Sequence, residues 1–204
     1  MIARVSTALI MLFLLAGCSS APLEQLAPTP VATPTPAPTA ESDVPVQGSA
    51  ITPPTQTIPP VRIQVPSVSI DISIAPVGVQ ADGLMEIPTD IRVAGWYKFG
   101  PTPESTVGST VITAHVDAFD QGLGPFAYLK DMPANAEIIV TTADGVDHRY
   151  VVASVQNVEK KQLPLDQVFD RAGAPRLVLI TCGGQFDQNV LNYSDNVIAI
   201  ANPA

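Results

Sequence analysis

The sequence predicts a mostly β domain, closed or nearly closed into a barrel, that follows a proline-rich segment. Three observations lead there. Apolar residues recur at every second position in run after run, the period of a half-buried strand. Turn signals such as Ala143-Asp144-Gly145 separate the runs, and the Asp-Gly pair marks a hairpin. Only GPFAYLKDM, residues 124–132, reads as a short helix, stopped by Pro133. Many short strands with little helix favour barrel closure.

Taken in chain order, VRIQVP and SVSIDISI give the first alternating strands, from Val61 to Ile74. STVITAHV (109–116) follows, then EIIVTTAD (137–144) and HRYVVASVQNVEK (148–160) on either side of the Asp-Gly turn. RLVLITC (176–182) and NVIAIAN (196–202) complete the set. No internal repeat is evident. Residues 61–204 amount to one ordinary domain.

The residues ahead of it are of another kind. Of the 21 prolines, 11 lie between Pro22 and Pro60, in a Pro-, Thr- and Ala-rich text with few large apolar groups. Such a segment buries too little surface to fold. In extended polyproline II, at roughly 3.1 Å per residue, about 40 residues reach on the order of 120 Å. The expectation is a lipidated N-terminus and linker over 18–60 that holds the domain away from a membrane. Residues 1–17 supply the remaining part: a positive start at Arg4, an apolar core from Ala8 to Leu15, then small residues. These are the parts of an export signal, too short for a comfortable membrane span. Leu15-Ala16-Gly17-Cys18 resembles the lipobox of bacterial lipoproteins, which implies cleavage before Cys18, its lipidation and an extracytoplasmic location. More than one acyl chain anchors stably where one does not. The formal charge of −9 argues against a nucleic-acid partner.

With Cys18 lipidated, Cys182 has no partner for an intrachain disulfide, because the chain has two cysteines. A lone exported cysteine is either apolar filler or a thiol with a task. Thiol chemistry needs a base or an electrostatic partner, most often histidine. Of the two histidines, His148 sits among charged neighbours after a turn and reads as a surface residue. His115 closes the apolar run STVITAH, as Cys182 closes RLVLITC, and two strand ends can meet at one barrel rim. Asp117, two residues on, either orients His115 or faces solvent. Trp96 and Tyr97 read as groove floor or core packing.

The stretch TAHVD around His115 and LITCGG around Cys182 resemble the histidine and cysteine motifs of the sortases, nearest to the actinobacterial-type class F. GWYKFGPTP (95–103), GPFAYLKDM and YSDNV (193–197) fit the same pattern. The resemblance covers about Val61 to the C-terminus. It implies a closed eight-stranded sortase-type barrel and a cysteine transpeptidase that cuts an LPxTG-type sorting signal between threonine and glycine. The acyl half is held as a thioester and passed to an amine of the cell wall or a pilin, with water as a competing acceptor. Cys182 is then the nucleophile and His115 the proton donor to the leaving amine. A thiolate is a strong nucleophile, and an adjacent imidazolium both favours it and protonates the departing nitrogen. Thr181 and Gly183 become candidate substrate contacts, Gly183 and Gly184 leaving room for a substrate backbone. No metal or cofactor is assigned. The L,D-transpeptidases, a rival type, carry histidine and glycine directly before the cysteine, whereas Ile180-Thr181 precede Cys182.

One departure stands out. The resemblance implies an arginine on the strand after the cysteine, immediately after the tyrosine of NYSDNV, and Ser194 occupies that position. No Arg or Lys occurs from Leu177 to Ala204. Three outcomes are open. A neutral donor, Ser194 or Asn196, serves as the oxyanion contact; a cation from elsewhere (Arg92, Arg149 or Lys160) reaches the site; or the domain is a non-catalytic peptide-binding or envelope scaffold protein. Loss of one oxyanion donor costs acyl-transfer enzymes about 10²–10³ in rate.

Overall fold

A computed structural model of the chain describes residues 57–204. The expected signal peptide (1–17) and nearly all of the expected linker (18–60) lie outside the described residues.

Eight strands close a barrel in the order β1 (Pro60–Val65), β2 (Ile70–Val77), β3 (Val93–Tyr97), β4 (Ser109–Thr113), β9 (Arg176–Asp187), β10 (Asn192–Pro203), β8 (Asp147–Glu159) and β7 (Glu137–Thr142), and β7 pairs back onto β1. A two-stranded ribbon, β5 (Asp117–Ala118) with β6 (Gly122–Leu123), projects after β4. The eight-stranded, mostly β barrel expected from the sequence is therefore what the chain forms. Two neighbour pairs are parallel, β2 with β3 and β4 with β9; the others are antiparallel.

Among the described residues helical structure is scarce. The stretch expected as a short helix is a 3-10 helix, Pro125–Asp131, whose Phe126 and Leu129 are fully buried against the barrel interior. Leu165–Val168 forms the one short α-helix among the described residues, α1, in the connection between β8 and β9. Two strand expectations change in detail. Pro66–Val68 is a 3-10 turn closed by Ser69 at φ 54°, so SVSIDISI begins pairing only at Ile70. Strand β3 has no alternation to announce it: its burial runs through Ala94, Gly95 and Trp96 without a break.

That unbroken burial recurs on β4, whose five residues are all buried, and on β9 from Leu177 to Thr181. The reason is that both sides of these strands are covered. Leu177 and Leu179 face the barrel core with Ile112, whereas Val178 and Ile180 face outward with Val111 into a second apolar cluster. Val168 of α1 and Ile198 of β10 complete that outer cluster. Parallel strands characteristically have both faces buried and read as continuous apolar runs. The pair β4–β9 is thus held from two sides, and the two sequence motifs with histidine and cysteine lie at its C-terminal end.

Candidate active site

The register of β4 and β9 sets the site. Thr113 pairs with Ile180 at the end of the parallel ladder. Two residues further along each chain come His115 and Cys182, so the register places them abreast. Side chains reinforce the last step: Thr113 Oγ1 donates to Ile180 O at 3.0 Å, and Thr181 Oγ1 donates to Ala114 O at 2.9 Å. Both threonines are buried. The hydroxyl of Thr181, expected as a substrate contact, is thus engaged in tying the histidine segment to the cysteine strand. Beyond His115, Gly124 N donates to Val116 O at 2.8 Å and Tyr193 Oη donates to Asp117 Oδ2 at 2.5 Å. Asp117 accordingly anchors the loop to β10; among the described residues no hydrogen bond joins it to His115.

Cys182 is half-buried and is the free cysteine of the described residues. It does not end its strand: β9 runs on to Asp187 and pairs with β10 through a bulge. Tyr193 faces Phe186 and Asp195 faces Gly183, so Gly184 and Gln185 together oppose Ser194. Gly184 has φ +75°, the left-handed glycine of a G1 bulge. A Cβ there would lie 2.3 Å from Ser194 Oγ, and one on Gly183 would lie 2.7 Å from a Val197 methyl. The two glycines make room first for the protein's own neighbouring strand. The exposed Ser194 accepts the Gln185 N–H at 3.0 Å.

Two clefts flank β9, and Cys182 lines the first of them. One, of about 560 Å³, opens at the barrel mouth between Tyr128, Asn157, Thr181, Cys182, Tyr193 and Val197. His115 is not among its lining residues, though Val116 is. The other, about 100 Å³, lies on the outer face under α1, lined by Val158, Val168, Val178 and Ile198 among others. Alternation along β9 puts Val178, Ile180 and Cys182 on that same outer face, with Asn196 directly opposite Cys182 and Val158 opposite Asn196. Asn196 therefore flanks the sulfur, since directly opposed residues share a face.

The three candidate cations separate cleanly. Arg92 is paired with Asp90 at 3.2 Å, and Arg149 with Glu137 at 2.5 Å. Lys160, at the end of β8, reaches the site: its Nζ lies 3.6 Å from Cys182 Sγ and donates to Asn192 Oδ1. Sequence reasoning could not rank these three, because the approach of β8 to β9 runs across the intervening β10. The other candidates have plainer roles. Trp96 is core, its Nε1 donating to Pro101 O at 3.2 Å, and Tyr97 stacks edge-on with Phe99 and Phe169. His148 lies against Thr142 Oγ1 at 3.3 Å on the β7–β8 hairpin.

Comparison with known proteins agrees with this architecture. The sortase domain family model matches residues 63–204. Among solved structures, sortase C-1 from Actinomyces oris aligns at TM-score 0.52 and 19% identity, over 71% of this chain and 71% of that one. A sortase D5 transpeptidase from Clostridium perfringens aligns at TM-score 0.52 and 15% identity, over 72% of this chain and 79% of that one. Sortase A from Corynebacterium diphtheriae gives TM-score 0.49 and 21% identity over 72% of this chain, which spans 62% of that relative. At such identities the structural likeness speaks for the fold alone. No curated protein sequence matches. The family match runs through more than half of the chain and contains both the histidine and the cysteine motif: the chain belongs to the sortase family, whose members are cysteine transpeptidases.

Proposed function

We propose that this protein is a membrane-anchored transpeptidase near class F of the sortases. It cleaves an LPxTG-type sorting signal between threonine and glycine and transfers the acyl half to an amine of the cell wall or a pilin. The observation that carries the reading is the register that sets His115 abreast of Cys182 beside an open cleft. The export-signal pattern of residues 1–17, the lipobox-like Leu15-Ala16-Gly17-Cys18 and the Pro-rich 18–60 support an extracytoplasmic, lipid-anchored location with the domain on a tether.

Cys182 Sγ attacks as thiolate and forms a C–S bond to the threonine carbonyl carbon. The C–N bond to glycine breaks as His115 gives the leaving nitrogen a proton. An acceptor amine then forms a new C–N bond; the C–S bond breaks, sulfur leaves with the electron pair, and His115 takes the acceptor's proton. The apolar residues of the signal suit the outer cleft of Val158, Val178 and Ile198, on the same face of β9 as Cys182. Asn196, opposite Cys182, is an oxyanion contact, and Ser194, with its hydroxyl proton uncommitted at the bulge, is a second.

The test is a library of LPxTG-like peptides with hydroxylamine as acceptor, read by mass spectrometry, with Cys182→Ala as the blank. Hydroxamate product from the natural protein and none from the blank is the expected result. Absence of product from the natural protein, with retained binding of the same peptides, would favour a peptide-binding role for the barrel.

A further inference from the structure

From the placement of Lys160 we infer that the positive charge at the reacting sulfur is supplied not from the strand that follows the cysteine but from the end of β8, one strand further round the barrel. This rests on the transpeptidase reading and names the group that does the work of the absent arginine.

The geometry is a diagonal across three strands. Cys182 on β9 faces Asn196 on β10, which faces Val158 on β8. Lys160 stands two residues beyond Val158, where β8 gives way to the 3-10 turn Lys160–Gln162. Asp195 on β10 likewise pairs with Glu159 on one side and Gly183 on the other. Ser194, the position that lacks its arginine, therefore lies between the bulge of β9 and the residue after Glu159. A long cationic side chain from 160 spans the space that a short Ser194 side chain leaves open. Its Nζ comes within 3.6 Å of Cys182 Sγ.

The ammonium is also held and uncommitted. Asn192 Oδ1, at the start of β10, accepts one of its protons. Lys160 is half-buried and forms no salt bridge among the described residues. Carboxylates on the neighbouring strands are engaged elsewhere: Glu159 accepts from Gln162, Asp195 from Asn157 and Asp187 from Asn189. On the mouth side, Lys130 and Asp131 line the cleft as a pair of opposite sign, and Asp117 is bonded to Tyr193. At this distance the ammonium attracts the negative charge of the attacking sulfur. It also faces the negative charge that develops on the carbonyl oxygen once that sulfur has attacked, in a recess where such charge is weakly screened. Lys160 acts through its charge and is not an acyl acceptor.

The experiment uses the full chain and two methanethiosulfonate reagents of similar size, one anionic and one cationic, whose reaction with Cys182 needs no substrate. Two unit charges about 4 Å apart interact enough, even in water, to change a rate several-fold, with opposite sign for the two reagents. Lys160→Met and Lys160→Gln are expected to lower the anionic-to-cationic rate ratio about tenfold at low salt. Lys160→Arg is expected to keep it, and added salt to shrink the difference. Because the ratio is internal to each variant, a general loosening of the fold does not mimic the effect. A ratio unmoved in Lys160→Met would overturn the inference. With LPxTG-like peptides, Lys160→Met should lose about 100-fold in kcat/KM and regain at least tenfold when Ser194→Arg is added. Unimpaired cleavage by Lys160→Met, or peptide found attached to Lys160 itself, would also overturn it. A ratio that shifts as expected in a protein that cleaves no peptide would leave the charge assignment standing and remove the transpeptidase reading.

Discussion

Exchanging Thr181 for valine removes one hydroxyl from the joint between the histidine and cysteine segments and changes little else in shape. Thr181 Oγ1 is buried and donates to Ala114 O at 2.9 Å, and no backbone N–H reaches that carbonyl among the described residues. The loss therefore combines a net hydrogen bond, about 0.5–1.5 kcal/mol, with part of the 1–3 kcal/mol of a buried group left unsatisfied. About 2 kcal/mol is expected. Thr113→Val is the matched control. Its hydroxyl donates to Ile180 O at 3.0 Å, but that carbonyl also accepts the Ala114 N–H at 3.3 Å, so it keeps a partner and the loss is about 1 kcal/mol. For a domain of this size each kcal/mol moves Tm by about 2–4 °C. Urea unfolding of the two single variants should show unchanged m and the larger fall in midpoint for Thr181→Val. Because the lost bond holds His115 in register with Cys182, thioester formation should also slow more in Thr181→Val. Equal or reversed stability losses would refute the reasoning, since they would mean that Ala114 O is satisfied without Thr181.

Other outcomes follow from the bulge and the hairpin. Gly184→Ala places a methyl 2.3 Å from Ser194 Oγ at a residue with φ +75°. The conformational term alone is about 1–2 kcal/mol, so urea unfolding should show at least about 2 kcal/mol lost, partly recovered with Ser194→Ala; a loss below about 0.5 kcal/mol would contradict the bulge. The Tyr193 hydroxyl is pushed up to about 12 from 10.0, chiefly by its hydrogen bond to Asp117, then by burial. A folded value above the unfolded one means that its stabilisation is complete below pH 10 and is lost as pH rises toward 12. The stability gap between the natural protein and Tyr193→Phe should therefore be flat below pH 10 and shrink above it, measured by urea midpoints; a gap that widens with alkali would reverse the assignment. His115→Ala should lower thioester formation from amide substrates by about 10²–10³, yet less from an activated ester whose leaving group needs no proton; equal losses on both would deny it the proton-donor role.

Much of this was legible in the sequence because barrel strands with one wet face announce themselves by alternation. Strands β1, β2, β7 and β8 did so, and the Asp-Gly turn placed the β7–β8 hairpin. The short continuous apolar runs on β4 and β9 were also read as strands, and their burial on both faces explains why alternation was weak there. Strand β3 escaped because Val93–Tyr97 holds a central glycine and a tryptophan committed to the core. At the site, His115 and Cys182 stood out as residue types with chemistry at the ends of apolar runs. What remained hidden depends on distances across the sheet. The approach of Lys160 to Cys182 crosses two strand boundaries, and the Tyr193–Asp117 bond joins residues 76 positions apart. The extension of β9 past Cys182 was hidden for a local reason: Gly183-Gly184 reads as a strand terminator, whereas Gly184 makes a bulge through which pairing continues.

The proposed reaction depends on a thioester between Cys182 and the threonine carbonyl of a sorting-signal peptide. Its most direct test is the intact mass of the full chain after brief mixing with LPxTG-like peptides and acid quenching, followed by peptide mapping. The expected result is an acyl adduct on Cys182 that hydroxylamine releases, with none on Cys182→Ala. An adduct on any other residue, or hydroxamate product formed equally by Cys182→Ala, would contradict it.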